Sequence, residues 1–221
     1  MSHRTRVWDL PTRLFHWTLF LCVVALVATA KIGGNAMVWH VRLGHVVLAL
    51  LLFRLVWGLV GGRWSRFASF LHSPRDTLLY LRGRGRPELS VGHSPTGAAS
   101  VFALLGVLAL QVATGLSSDD EIAFTGPLTR FLPGELVSQA TSYHKGVGEW
   151  LVIGLVLLHV AAVLFYLWGK KQNLVRPMVS GDKELPAATP ASRDDAASRL
   201  LALAIGAVCA GLAYWVSGLG N

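Results

Sequence analysis

Five histidines carry the chemistry available to this sequence. His16, His40, His45, His144 and His159 lie within or at the edge of long apolar runs. An ionisable ring at membrane depth is costly and is a functional candidate by default, the ordinary alternative being a hydrogen bond between helices. Their spacing favours a shared role. Fifteen residues separate His144 from His159, about 22 Å and a net turn of about 60° if one helix carries both. The two rings would then face one side of a bundle, one near each surface of the bilayer. Threading the runs alternately through the membrane sets His16 level with His159 and His40 level with His144. Two imidazoles at one level on different helices suit the two axial positions of an iron porphyrin, whereas zinc needs four ligands at one point. Two bis-histidine haems account for the spacing, and a proton relay or a transport path stays open as the alternative. His45 stands about 140° round the helix from His40 and cannot share its partner. His40 is therefore expected as the ligand, and His45 to bond a neighbouring helix.

Other residues fit around such groups. Arg54, about 21 Å beyond His40, reaches the level of His16. A cation there needs an anion, and a haem propionate is suited to the forked guanidinium; snorkelling to the interface is the plain alternative. Arg42 could serve the other haem in the same way. Gly44, Gly106 and Gly115 would let a macrocycle approach the backbone, though helix contact explains them equally well. Glu149 is expected to pair with Lys145 four residues earlier. His72 and His93 fall in an arginine-rich loop, where solvated histidines are ordinary. If a quinone binds at that end, His93 is the expected proton donor.

The elements that must position these groups are membrane helices. Apolar residues make up 53% of the 221 and charged residues only 14%, against about 25% charge in a typical soluble domain. Five runs, residues 14–30, 39–60, 97–116, 144–168 and 197–218, are long enough to span about 30 Å of hydrocarbon. They lack the strict alternation of barrel strands, and only helices then satisfy the backbone in lipid. The first run imitates a cleaved signal peptide, with Arg4 and Arg6 before it and Ala28-Thr29-Ala30 at its end; its aromatic face and His16 argue for retention. Fourteen Lys and Arg fall on the amino-terminal side of the membrane and only Lys31 and Arg130 in the opposite loops, one of which is acidic (Asp119, Asp120, Glu121, Glu135). The positive-inside rule then places the amino terminus in the cytoplasm and the carboxyl terminus outside. The net charge of +8 is thus read as orientation, with lipid and not nucleic acid as the partner. Cys22 and Cys209 lie in apolar runs, and no CxxC or CxxCH occurs. Iron–sulfur, zinc-knuckle and covalent haem chemistry lose support. Residues 181–196 are Pro/Ala/Asp-rich and read as a mobile cytoplasmic linker.

The residues also resemble a known family, the bacterial cytochrome b561 and nickel–iron hydrogenase b-type cytochromes. The matching text is Val7-Trp8-Asp9-Leu10-Pro11 with Arg13-Leu14-Phe15-His16-Trp17, then Trp39-His40 with Gly44, then Phe53-Arg54-Leu55-Val56-Trp57-Gly58 with Gly61. Gly92-His93-Ser94-Pro95 with Gly97, Thr114-Gly115, and His144 to His159 ending in Asn173-Leu174-Val175-Arg176 follow in order. The resemblance implies an all-α integral membrane bundle. Residues 1–180 would form a four-helix dihaem core with His16, His40, His144 and His159 as axial ligands of two non-covalent b haems. The helix within 197–221 is additional, and its small residues (Ala207, Gly211) suit packing on its own bundle or on a partner alike. The implied role is electron transfer between a periplasmic redox enzyme or cytochrome c and quinone. The alternatives are a stand-alone quinone oxidoreductase acting on a small substrate such as superoxide, and a proton-coupled or metal transporter.

Overall fold

The computed structural model describes residues 3–220. Among them five helical segments, Leu10–Ile32, Gly34–Val60, Glu88–Leu116, Gly134–Trp168 and Ala196–Ser217, are long and apolar enough to cross a membrane. The helices are α1 (Leu10–Ile32), α2 (Met37–Val60), α3 (Pro74–Leu81), α4 (Pro95–Leu116), α5 (Gly134–Lys145), α6 (Val147–Trp168), α7 (Val175–Ser180) and α8 (Ala196–Ser217). The chain is an all-α membrane bundle with one small accessory sheet. The fourth apolar run departs from expectation. Gly146, at φ −112° and ψ −104°, interrupts it, so His144 ends α5 while His159 lies on α6. A single 100° register does not connect the two.

The chain divides into two compact units, with each of the five long helices shared between them. The first holds the chain up to His16, Arg54–Ala103 and Leu157–Ile205. Its organising residue is Asp9, fully buried just before α1. The carboxylate accepts from Thr12 N (2.8 Å), Trp57 Nε1 (3.2 Å), Gly62 N (3.2 Å) and Ser65 Oγ (2.6 Å). One buried charge thus caps α1 and ties it to the end of α2, the multiple-donor arrangement that makes burying a carboxylate tolerable. A β-carbon on Gly62 would lie 2.3 Å from Asp9 Oδ2, so only glycine fits there.

The segment 181–196 is not the mobile linker expected. β1 (His3–Arg6) pairs antiparallel with β2 (Asp182–Leu185), Arg6 opposite Asp182. Arg6 bonds Asp182 and, at 2.7 Å, Asp194; Arg199 at the start of α8 reaches Asp194 at 3.1 Å. Ser192 donates from N to Arg6 O and from Oγ to Val7 O, both at 2.7 Å. Composition alone marks this stretch as loop, and long-range partners order it. Val7, Trp8, Val91 and Leu185 pack as a small core beside it.

The second unit holds Trp17–Phe53, Leu104–Val156 and the chain from Gly206 on. Its core is Cys22, Val23, Val47, Leu51, Leu108 and Val152, one stripe from each of α1, α2, α4 and α6. Cys22 and Cys209 are buried free thiols, apolar filling as their sequence context suggests.

Candidate functional site

Each unit contains one pair of imidazoles contributed by two different helices. In the second unit His40, near the start of α2, and His144, at the end of α5, have ring centres 6.1 Å apart. Each ring is held through Nδ1: His40 Nδ1 lies 3.0 Å from Leu26 O, and His144 Nδ1 lies 2.9 Å from Gln111 O. With the proton on Nδ1, both rings donate to a main-chain carbonyl and keep Nε2 as a free lone pair. That is the orientation and tautomer that ring-binding partners give metal-ligating histidines.

Gln111 on α4 is the residue that motif reading passes over. Its Nε2 donates to His144 O at 2.9 Å while its own main-chain oxygen takes the His144 ring. A lone amide in an apolar span is itself a signal of this kind. Gly115, one turn further along, accommodates the same ring: a β-carbon there would sit 2.7 Å from His144 Cε1. Its lack of a side chain serves the imidazole, not a macrocycle. Gly44, one turn past His40, and Gly106 have nothing within 4 Å of a β-carbon position, leaving room on those helix faces.

In the first unit His16 on α1 and His159 on α6 have ring centres 6.3 Å apart. Arg54 on α2 is 3% exposed, its guanidinium carbon 4.6 Å from the centre of the Phe67 ring. Its Nη1 is buried with no hydrogen-bond partner among the described residues. A buried cation with a spare donor calls for an anion. Gly58 makes room for Phe67, whose ring would collide with a β-carbon there.

The remaining candidates fall elsewhere. Arg42 is exposed and lies over Trp39, 5.2 Å from the ring centre, about 200° round the helix from His40. His45 bonds Val41 O in its own helix at 2.9 Å rather than a neighbouring helix. Glu149 pairs with Lys31 of α1, not with Lys145, because the break at Gly146 takes Lys145 off its helix. Lys31 also lies over Trp150. His93 is no solvated loop residue: Trp8 and Phe70 pack against it, tilted, at 4.6 and 4.4 Å, and its Nδ1 is buried without a hydrogen-bond partner among the described residues. His72 Nε2 donates to His93 O at 3.0 Å.

The imidazole pairs can be tested against an axially ligated iron. A metal-bound imidazole nitrogen lies about 2 Å from its metal and the ring centre about 1.1 Å behind it, so two axial rings have centres roughly 6.2 Å apart. The observed 6.1 and 6.3 Å match that span. No group of three or more His, Cys, Asp or Glu gathers among the described residues, which leaves a tetrahedral metal site without support. The free Nε2 atoms of His40 and His144 and the open face at Gly44 fit a flat, iron-bearing group there, and the unpaired Arg54 nitrogen in the first unit fits an anion.

The family model described as prokaryotic cytochrome b561 matches residues 7–181. The probable Ni/Fe-hydrogenase 1 B-type cytochrome subunit of Escherichia coli K12 is 24% identical over 209 residues, covering 79% of this chain and 88% of that protein. The probable Ni/Fe-hydrogenase B-type cytochrome subunit of Cupriavidus necator is 25% identical over 211 residues, covering 80% and 86%. That of Azotobacter vinelandii is 26% identical over 211 residues, covering 79% and 86%. No solved structure matches.

Proposed function

The chain belongs to the prokaryotic cytochrome b561 family, and on that premise we propose that it carries electrons across the bacterial inner membrane between a periplasmic redox enzyme and the quinone pool. As a b-type cytochrome it uses haem b, and the proposal assigns it two. The relatives' names make a nickel–iron hydrogenase the first kind of partner, with a periplasmic cytochrome c as the other. The observation that carries the reading is the pair of imidazole pairs, 6.1 and 6.3 Å between ring centres, each joining two helices.

Bound iron porphyrin supplies a one-electron couple whose potential its ligands and surroundings set. The chain's own residues do the rest. His40 and His144 offer Nε2 while the Leu26 and Gln111 carbonyls hold their rings. His16 and His159 make the second pair, with Arg54 as the propionate partner. The apolar walls at Leu51, Leu108 and Val152 keep water from the second unit's interior. His93, buried at Nδ1, is the proposed proton donor toward quinone at the cytoplasmic end.

A stand-alone oxidoreductase acting on superoxide is the alternative within the same chemistry. The loop at residues 119–125 counts against it. The N–H groups of Phe124, Ala123 and Ile122 donate to Asp120 and hold its carboxyl at about 2, so the loop is anionic at any working pH. A small anion would be repelled, whereas a basic protein face would be drawn in.

Haem content per chain tests the proposal. The intact protein should carry two. His40→Ala or His144→Ala should remove one, His16→Ala or His159→Ala the other, and His45→Ala neither. A colourless preparation from haem-replete cells, as a transporter would give, or a haem lost from His45→Ala but not from His40→Ala, overturns it.

A further inference from the structure

Within the first unit, a cleft of about 290 Å³ opens between the turn that ends α2 (Val60 to Gly62), Arg193 and the first turns of α8. Three arginines, Arg63, Arg66 and Arg193, line it, and no acidic side chain does. Of the nearby carboxylates, two are committed elsewhere and one is paired with Arg193 of the cleft itself. Asp9 is saturated by its four donors, and Asp194 is held by Arg6 and Arg199. Asp195 caps α8 through Ser198 N at 2.7 Å and takes Arg193 at 3.1 Å. Among the described residues neither Arg63 nor Arg66 pairs with any carboxylate; Arg63 lies over Trp64, and Arg66 is exposed. The cleft therefore holds an excess of positive charge.

Val60 and Leu201 supply the apolar part of its lining. Leu59 and Val60 at the end of α2, and Leu200, Leu201 and Leu203 at the start of α8, are exposed in the isolated chain. Both helices are long and apolar enough to cross a membrane, so their ends lie at the interface. A cationic cleft opening onto apolar helix ends at that depth matches a molecule with an anionic head and two hydrocarbon tails. We propose that this cleft binds the phosphodiester headgroup of an anionic diacyl phospholipid, with its acyl chains along the exposed leucines of α2 and α8. The site goes beyond the electron-transfer reading and uses none of its residues.

The test is native mass spectrometry of the full holoprotein taken from nanodiscs of equal phosphatidylglycerol and phosphatidylcholine, paired with thermal unfolding in detergent. The intact protein should retain one phosphatidylglycerol and no matching phosphatidylcholine. The Arg66→Gln/Arg193→Gln double variant should bind it roughly thirtyfold more weakly, given about one order-of-unity charge contribution per arginine at the membrane surface. The Arg66→Lys/Arg193→Lys variant should keep most of the binding. If the double variant loses helicity or haem absorbance, Arg66→Gln alone carries the test, with a roughly fivefold loss. Equal retention by the intact and glutamine proteins, or equal retention of the two lipids, overturns the proposal. So does stabilisation by inorganic phosphate that matches that by phosphatidylglycerol, which would assign the cleft to a free anion.

Discussion

His144 is held at its ring and at its main-chain oxygen by one residue, and that makes Gln111 the most informative single position to change. Gln111→Leu leaves the main-chain acceptor for Nδ1 but removes the amide that holds His144 O beside the Gly146 break. One neutral hydrogen bond is worth about 1 kcal/mol, too little to expel a cofactor. On the two-haem proposal both haems should remain, while the one assigned to His40 and His144 shifts in potential by tens of millivolts and its low-spin electron paramagnetic resonance signal broadens. Two unchanged haem signals would show that Gln111 only packs. Arg54 offers a test at the other pair, with a stated sign. A buried cation favours the reduced iron, so Arg54→Gln should lower the potential of the haem at His16 and His159 on the order of 60 mV, the one-electron equivalent of a tenfold change. Redox titration of the α-band reads it; an unmoved inner component would separate Arg54 from the propionates. The four imidazoles were legible in the sequence because a histidine among apolar residues has few cheap explanations. Gln111 sent a weaker form of the same signal. Arg42 lies over its neighbour Trp39 on another side of the helix from His40, a placement that residue type alone did not show.

At the scale of elements, the apolar runs located the spans to within a few residues, 39–60 against Met37–Val60 and 97–116 against Pro95–Leu116. Hydropathy reads length well because the bilayer imposes it. The break between α5 and α6 was hidden, since Gly146 changes backbone direction without changing hydropathy. The β1–β2 ribbon was hidden for another reason: its partners lie about 180 residues apart, beyond any local pattern. That ribbon should be sensitive to acid. Burial pushes the carboxyls of Asp182 and Asp194 up, but bonds to Arg6 and Arg4, and to Arg199, Leu10 N and Arg6, outweigh it and hold both below the usual carboxylate value. A depressed folded-state pKa stabilises above the unfolded value, near 4, and that stabilisation is lost as pH falls through the folded value. Trypsin cleavage after Arg4 and Lys183 would be compared on samples pre-exposed to graded pH and pulsed at fixed pH in the presence of a slow-refolding detergent. Cleavage should rise only below about pH 4. The Asp182→Asn variant should already be cut at neutral pH; resistance of that variant would mean that the strand pairing alone holds the ribbon.

For the molecule as a whole, sidedness rests on charge distributed over all its loops. Fourteen basic residues on one side against two on the other is a bias large enough to orient a five-span chain. On the orientation proposed above, the loop around Asp120 is the surface offered to periplasmic partners, and the Arg63–Arg66 cleft the surface offered to the cytoplasmic leaflet. The two native thiols are buried, Cys22 at 7% and Cys209 at 3% exposure, so introduced cysteines can report sidedness against a quiet background. Ile122, at 92% exposure on the tip of the acidic loop, is the natural outer probe. Arg84, exposed in the arginine-rich loop, is the inner one. In intact spheroplasts a membrane-impermeant maleimide should label Ile122→Cys and spare Arg84→Cys, and lysis should expose the second. The reverse pattern would invert the chain. It would then set the acidic loop against the cytoplasm, where a periplasmic enzyme could not reach it, and the partner assignment would fail together with the orientation.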